Sequence, residues 1–423
     1  MFIIENIIDF KRKALHWAYS FNVCCYLDSN GYNDPYGSYD TIVAIDSVTS
    51  LEAKVGGAFE ALKNFHEEQK TDIFGFLTYD LKNELEDLHS LNPDHLHFPA
   101  LYFFKPRIIL KFKGSELEIF SNDDKLNSTM ILATIQNFVE TEDNKQFEQV
   151  DIQSRITKEN YIKKVQKVKE HIVRGDIYEM NLCQEFYAEN CIINPLGTWE
   201  RLTKISPTPF SSFFKLNQQY ILCASPERYL KKEDLKLISQ PIKGTSRRSS
   251  DPVEDKKLKE QLFNDPKERS ENVMIVDLVR NDLTRCAQPG TVKVEELFGV
   301  YGFSQVYQMI STISAELKRG LHFTEALKDT FPMGSMTGAP KISAMQLIEQ
   351  YEESLRGIYS GAIGYISANG DFDFNVVIRS LLYNAENRYL SYQVGGAITF
   401  NSIAENEYDE CLLKAKAMSE ALN

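Results

Sequence analysis

A chain of 423 residues, 43% hydrophobic and 25% charged, is long enough for two domains or one large body and too apolar to be globally disordered. Its net charge of −13 argues against binding nucleic-acid phosphate or an anionic membrane surface, so an anionic small substrate would need local cations or a metal. The seven cysteines include no C-x-x-C pair, the N-terminus lacks a signal-peptide layout and no apolar run reaches membrane-spanning length, features expected of a soluble cytoplasmic protein with reduced thiols.

Residues 1–140 mix short strand-like runs with one helical stretch, Leu51 to Glu68. Asn30 to Tyr39 (NGYNDPYGSY) reads as a loop of turn formers. Thr141 to Glu159 is polar and charged, the best place for a boundary. Helical periodicity runs from Lys158 to Arg174 and ends at Gly175. Ser225-Pro226-Glu227-Arg228 then offers a carboxyl group, and Pro241-Ile242-Lys243-Gly244-Thr245 sets an amine in a glycine-closed turn. Held in one site, the two can add a nucleophile and protonate a leaving group; alone, Lys243 also reads as a solvated turn lysine. Asp265-Pro266 is a helix start, with aspartate at N-cap and proline at N1, and that helix stops before Pro289-Gly290.

Phe331 to Lys341 (FPMGSMTGAPK) is dense in Gly, Pro and hydroxyls before a helix beginning near Pro340, which suits either an anion-binding helix N-terminus or a plain loop. Ser360 to Leu382 reads as a hairpin of two apolar strands around Asn369-Gly370. Arg379 falls in its second strand, either solvated at a strand end or paired with a buried anion. A third strand, Tyr389 to Phe400, carries Gly395-Gly396, a sign of close backbone approach to a ligand or of a bulge. Ser402-x-x-Glu405 reads as a capping box opening the last helix. Strands and helices in mixed order, without a βαβ repeat, indicate α+β layers.

Two helix faces carry acids. Glu268 and Glu271 stand at i and i+3, as do Glu407 and Glu410, with Lys414 one turn on. Brought together, such faces offer oxygen ligands to a hard cation, and the absence of an accompanying His argues against zinc or iron. Acids in a first turn also simply favour the helix dipole, so the spacing leaves both readings open.

Taken together, GDIYEMNL, SPERYL, PIKGTSRR, ENVMIVDLVRNDL, GSMTGAPK, RGIYSGAIGY, DFNVVIRS, VGGAITFNS and ENEYDECLLKAKAM resemble, in family order, the chorismate-utilising enzymes. These include component I of anthranilate synthase and of aminodeoxychorismate synthase, and the isochorismate and salicylate synthases. The resemblance implies an α+β fold in which two β-sheets pack as a sandwich with helices outside. It implies an N-terminal component I-like region over 1–145, contributing to the same body, and a chorismate-binding catalytic domain over 150–423. It implies Mg2+ as cofactor, with Glu271 and Glu410 as ligands and Glu268 and Glu407 as nearby acids. Arg379, Lys414, Thr337, Tyr359, Thr245 and the backbone at Gly395-Gly396 match positions that line the substrate site. Glu227 matches the acid that protonates the departing 4-hydroxyl, a role that requires a carboxyl group still protonated near neutral pH.

Within this family Lys243 separates the branches. Anthranilate synthases typically carry alanine there, whereas lysine is typical of aminodeoxychorismate synthases. The resemblance implies that its uncharged amine attacks ring carbon 2, after which ammonia adds at carbon 4 and expels the lysine. Isochorismate and salicylate synthases use a lysine to activate water at the position of Glu179, where many relatives carry glutamine; this weighs against those branches. Gln308 stands where the family pattern places a histidine near Ser304 to Ser311, and glutamine cannot carry a proton. No cysteine sits in a glycine-rich nucleophile turn, so ammonia is expected from a separate glutamine amidotransferase subunit. The expected function is thus aminodeoxychorismate synthesis for 4-aminobenzoate and folate, with anthranilate synthase component I and a non-catalytic chorismate-binding subunit as the alternatives.

Overall fold

The computed structural model describes residues 1–140, 150–303 and 306–423. The 141–149 part of the boundary at Thr141–Glu159 lies outside the described residues, as does Ser304 in the segment before Gln308. Every strand pairing among the described residues is antiparallel, and the strands form one hydrogen-bonded network folded into two facing sheets. The first sheet runs from Glu116–Ser121 through Leu101–Lys113, Thr41–Ala53, Val23–Asp28, Phe210–Leu216, Gln219–Ser225, Ser380–Asn384 and Tyr389–Ile398 to Glu179–Ala188. The second runs from Leu101–Lys113 through Ile73–Leu77, Ala362–Ile366, Phe372–Asn375, Arg228–Glu233 and Lys236–Gln240 to Val306–Glu316, which also pairs with Ile242–Arg247 and Lys293–Gly302.

Strand Leu101–Lys113 belongs to both sheets. Its first part pairs with Ile73–Leu77 and its last part with Glu116–Ser121. Its neighbour Thr41–Ala53 slips register between Ser47 and Thr49, beside Asp46 at φ 59°, and such an irregularity bends a strand pair. Strand alternation then fills two cores. Cys25, Ala44, Ile221 and Cys223 of the first sheet face inward, and the Phe214 ring there lies 5.3 Å from Phe76 of the second. Their alternates Cys24, Tyr26, Val43, Tyr220 and Leu222 face the helices Ile7–Tyr19, Ser128–Gln136, Lys158–Arg174, Pro195–Ile205 and Ala404–Leu422. Helices Ala58–Gln69, Pro266–Cys286 and Phe323–Thr330 pack on the second sheet. Burial on both faces explains why VCCYLD shows no polar alternation. N-terminal strands sit inside both sheets: Val23–Asp28 pairs with Phe210–Leu216, and Ile73–Leu77 with Ala362–Ile366.

Three local expectations are corrected. The helix expected from Leu51 begins at Ala58, because Thr41–Ala53 stays in its ladder through Ala53 and Gly56 and Gly57, at φ 105° and 89°, break the chain between. Ser402 does not cap the last helix: Ile403 is its N-cap residue, and the Ser402 hydroxyl instead accepts from the Thr399 amide at 3.0 Å, closing the turn before it. The second hairpin strand is two strands. Phe372–Asn375 lies in the second sheet and Ser380–Asn384 in the first, and the chain crosses between them at Val376–Arg379, with Arg379 at φ 53°.

A second crossing runs alongside. Gln219–Ser225 belongs to the first sheet and Arg228–Glu233 to the second, with Pro226-Glu227 between them. The crossings are neighbours, since Cys223 pairs with Ser380 and Arg228 with Asn375, and the Val376 amide donates to the Glu227 carbonyl at 3.0 Å. Glu227 and Arg379 thus both stand on the seam between the sheets.

Candidate active site

A cavity of about 760 Å³ opens at this seam. Lys243, Glu227, Arg379, Tyr359, Thr245, Gly395, Lys414 and the four acids Glu268, Glu271, Glu407 and Glu410 all line it. Lys243 does not sit in a turn, as its glycine suggested, but on a bulged strand. Ile242–Arg247 pairs with Val306–Glu316, and the register slips between Ile242 and Thr245. Gly244 adopts φ 97°, and a Cβ there would lie 3.0 Å from Glu268 Oε2 and 3.3 Å from Met309 Cβ. Bulges beside active sites re-aim side chains, and this one turns Lys243 into the cavity. Its amine has no ion pair or hydrogen bond among the described residues.

Glu227 is 4% exposed. Burial pushes its carboxyl up to about 7, against the opposing pull of the Ser335 hydroxyl, the Lys243 charge and the Ile242 amide. A carboxylic acid that keeps its proton near neutrality is what donation to a leaving hydroxyl requires. Arg379 is neither solvated at a strand end nor paired. Its guanidinium lines the cavity without an ion pair or hydrogen-bond acceptor among the described residues, and burial draws it below its ordinary value, partly offset by Tyr359 and Glu410. An unanswered guanidinium in a cavity is a site for a carboxylate. The Tyr359 hydroxyl lies 3.5 Å from Cys183 Sγ.

The acids come from two helix starts. The Asp265 carboxylate accepts from the amides of Lys267 and Glu268, which fixes the first turn of Pro266–Cys286 and places Glu268 and Glu271 on the cavity side. Burial, with Glu271 adding repulsion, pushes Glu268 up to about 7. Burial raises Glu271 too, and its Oε1 is enclosed without a hydrogen-bond partner. Burial likewise raises Glu407. At Glu410 burial acts upward, but Lys414, 2.7 Å away, together with Lys267 and Lys243 outweighs it and holds that carboxyl below its ordinary value. Lys267 lies in the field of all four acids and is raised by them against its own burial. Among the described residues no three His, Cys, Asp or Glu side chains stand close enough together to hold a metal ion, so the acids form a wall of excess negative charge rather than a closed cage. Such a wall, with an orphaned Glu271 oxygen, fits a cation that takes one or two carboxylates and fills its other positions with water or substrate oxygens.

Gly395 and Gly396 form no bulge; they pair in register with Cys183 and Leu182. A Cβ on Gly395 would lie 2.5 Å from both Cys183 Sγ and the Leu182 carbonyl oxygen, and one on Gly396 would enter the acid wall 3.2 Å from Glu407 Oε2. Lys414 donates to the Gly395 carbonyl at 2.8 Å. Thr337 is fully buried behind the cavity, with its hydroxyl donating to the Gly334 carbonyl at 3.2 Å, while Ser335 and Met336 of the same loop reach the wall. Ser335, Asn181 and Lys267 were not singled out in the sequence. Strand alternation from Glu179 marks Asn181, and its place four residues before Glu271 marks Lys267.

The fold recurs among known proteins. The family model described as chorismate binding enzyme matches residues 22–420. Aminodeoxychorismate synthase component 1 of Escherichia coli is 36% identical over 82% of this chain and 76% of its own length. Anthranilate synthase component 1 of Aquifex aeolicus is 33% identical over 83% and 74%. The crystal structure of anthranilate synthase component I from Streptococcus pneumoniae superimposes with a TM-score of 0.80 at 27% identity, covering 92% of this chain and 93% of that one. The menaquinone-specific isochorismate synthase of Escherichia coli shares the fold, with a TM-score of 0.78 at 19% identity over 97% and 91%. With a family match across both sheets and the seam cavity between them, this chain belongs to the chorismate-binding enzymes and acts on chorismate.

Proposed function

We propose that the protein is the aminating component of an aminodeoxychorismate synthase, converting chorismate and ammonia to 4-amino-4-deoxychorismate for 4-aminobenzoate and folate synthesis. The observation that carries this reading is the Lys243 amine, raised on a glycine bulge into the cavity that also holds Glu227, with no anion tying it down. Arg379 and Lys414 receive substrate carboxylates. Glu271 and Glu410 would hold Mg2+, with Glu268 and Glu407 as nearby acids, and the ion would supply positive charge toward the ring carboxylate. Lys243 attacks ring carbon 2 while Glu227 gives its proton to the 4-hydroxyl, which leaves as water. Ammonia then bonds to carbon 4, the ring double bonds shift back and the lysine is released. Gln308, buried at the cavity with its Oε1 unpartnered, can accept from a substrate hydroxyl but cannot shuttle protons, which suits a product that keeps its enolpyruvyl group. Ammonia is supplied by a glutamine amidotransferase partner, in keeping with relatives named as component 1 of two-component synthases.

Anthranilate synthesis is the second reading, favoured by relatives of that name at similar identity, 33% and 34% against 36%. Incubating the protein with chorismate, Mg2+ and ammonium salt separates the two. Aminodeoxychorismate without pyruvate is expected; anthranilate with equimolar pyruvate overturns the proposal.

A further inference from the structure

Glu179 is a buried acid beside this cavity, two residues before the lining residue Asn181, to which the chemistry above gives no task. It opens strand Glu179–Ala188, pairs with Ala339 and is 1% exposed. Its neighbours in the strand separate by alternation. Met180 and Leu182 enter the helix-covered core, whereas Glu179 and Asn181 face the other way, and Asn181 lines the cavity. Glu179 therefore points to the cavity side of the strand. Its Oε2 is enclosed and has no hydrogen-bond partner, an expensive state for a buried oxygen unless something comes to meet it. The cation that acts on it is Lys243: burial pushes Glu179 up and the Lys243 charge draws it back. Glu271 and Glu227 share the same field. Both are raised by burial and drawn back by Lys243, and Glu179 adds repulsion at Glu271. An unpartnered amine in the cavity and an unpartnered carboxyl on the cavity side of this strand thus lie within electrostatic reach, and side-chain rotation or one bridging water would let a proton pass between them.

Resting on the reading of Lys243 as nucleophile, we propose that Glu179 is the proton acceptor and donor for the Lys243 nitrogen. When Nζ bonds to ring carbon 2 it carries two protons and a positive charge. Glu179 takes one of them, leaving a neutral secondary amine and a neutral acid. When ammonia bonds to carbon 4, the electron pair of the carbon 2–nitrogen bond returns to the lysine, and the Glu179 proton goes back to Nζ. The ammonium formed at carbon 4 loses its extra proton to the Glu227 carboxylate, restoring the acid spent on the leaving water. Chorismate and ammonia become the aminated ring and water, with every proton placed.

The test compares the full-length parent, Glu179→Gln and Glu179→Asp by two readouts. One is the mass-detected Lys243 adduct formed from chorismate and Mg2+, together with turnover on ammonium. The other is the rate at which trinitrobenzenesulfonate labels Lys243 without chorismate. In Glu179→Gln, adduct formation and turnover should fall by about 100-fold or more, the scale of a lost proton-transfer group, and Glu179→Asp should recover about tenfold of that loss. Labelling of Lys243 should be no slower in either variant, since removing an anion from beside the amine does not make it less available. Parent-like adduct formation and turnover in Glu179→Gln overturn the inference, as does labelling that fails along with activity, which marks Glu179 as structural. If the parent itself forms no Lys243 adduct, the nucleophile reading has failed and the inference falls with it. That result is distinct from an adduct-forming parent matched by Glu179→Gln.

Discussion

Replacing Glu227 by glutamine should cost activity and, at neutral and higher pH, add stability. The Glu227 carboxyl titrates at about 7 in the folded protein against an ordinary 4.5, because burial penalises its ionised form. Below 4.5 it is protonated in both folded and unfolded chains and costs nothing. As pH rises, the unfolded chain releases the proton first, so the folded state loses stability until the native carboxyl has also ionised. Above about 7 the loss levels off near 3 kcal/mol, the gap between the two values at 1.36 kcal/mol per pH unit. Glutamine keeps the shape and never ionises. The stability of Glu227→Gln relative to the parent should therefore climb through pH 5–7 and plateau about 3 kcal/mol higher at pH 8 than at pH 4.5. Urea unfolding of both proteins at pH 4.5, 6 and 8, with turnover measured on the same samples, checks this. Turnover of the variant should be down by about 100-fold or more at every pH. A stability difference flat from pH 4.5 to 8 would show that Glu227 is ionised in the folded protein and would remove the basis for its role as acid.

Arg379→Gln removes the free guanidinium and should raise KM for chorismate by about 10- to 100-fold, the worth of a charge-assisted hydrogen bond, with a smaller change in kcat; steady-state kinetics decides. Gly244→Ala places a Cβ at φ 97° and 3.0 Å from Glu268 Oε2, so it should cost about 1–2 kcal/mol in unfolding and misdirect Lys243, seen as lost turnover with retained chorismate binding. Gly395→Ala drives a methyl against Cys183 Sγ and the Leu182 carbonyl oxygen, both 2.5 Å away, and should lower the unfolding free energy by about 1–3 kcal/mol. Dialysis against EDTA should abolish turnover, Mg2+ should restore it, and Glu271→Gln should raise the Mg2+ needed by about tenfold or more.

Features written in adjacent residues were legible in the sequence. Helix Lys158–Arg174 ends where its pattern says, with the Thr157 hydroxyl accepting from the Asn160 amide and Gly175 at φ 85°. Asp265 and Pro266 start the next long helix as their chemistry demands. Features set by distant partners were not. Leu51 to Ala53 carry helical spacing but are held as strand by Leu101–Phe103. The bulge at Lys243-Gly244 exists only against Val306–Glu316, and the break before Arg379 only because Val376 and Val377 bond to Glu227 and Gly361. Spacing grouped Glu268 with Glu271 and Glu407 with Glu410, yet nothing local says that the two pairs share a wall; only the order of the longer motifs linked them. Nor does an arginine in an apolar strand reveal whether an anion answers it. Here none of the described residues does, and that is what the cavity contributes to binding.

The seam explains why the N-terminal loop matters to a site whose lining comes from later in the chain. A strand that changes sheets frees a few residues from both ladders, so Glu227 and Arg379 can face a cavity instead of a core. That freedom also leaves them poorly fixed, and the next residue supplies the fixing. Arg228 is 1% exposed and holds Asp373 at 2.9 Å, Gln240 at 2.6 Å and Asp34 of the NDPYG loop. A buried guanidinium between two carboxylates adds little net stability over an apolar substitute, because desolvation offsets the attraction, but losing one partner strands a charge at about 3–5 kcal/mol. Such a triad resists displacement in any direction that breaks one bond, which is what a residue adjoining the proposed acid needs. Asp34 thus bears on Glu227 through Arg228: losing its carboxylate would leave the Arg228 charge short of a partner one residue from the acid.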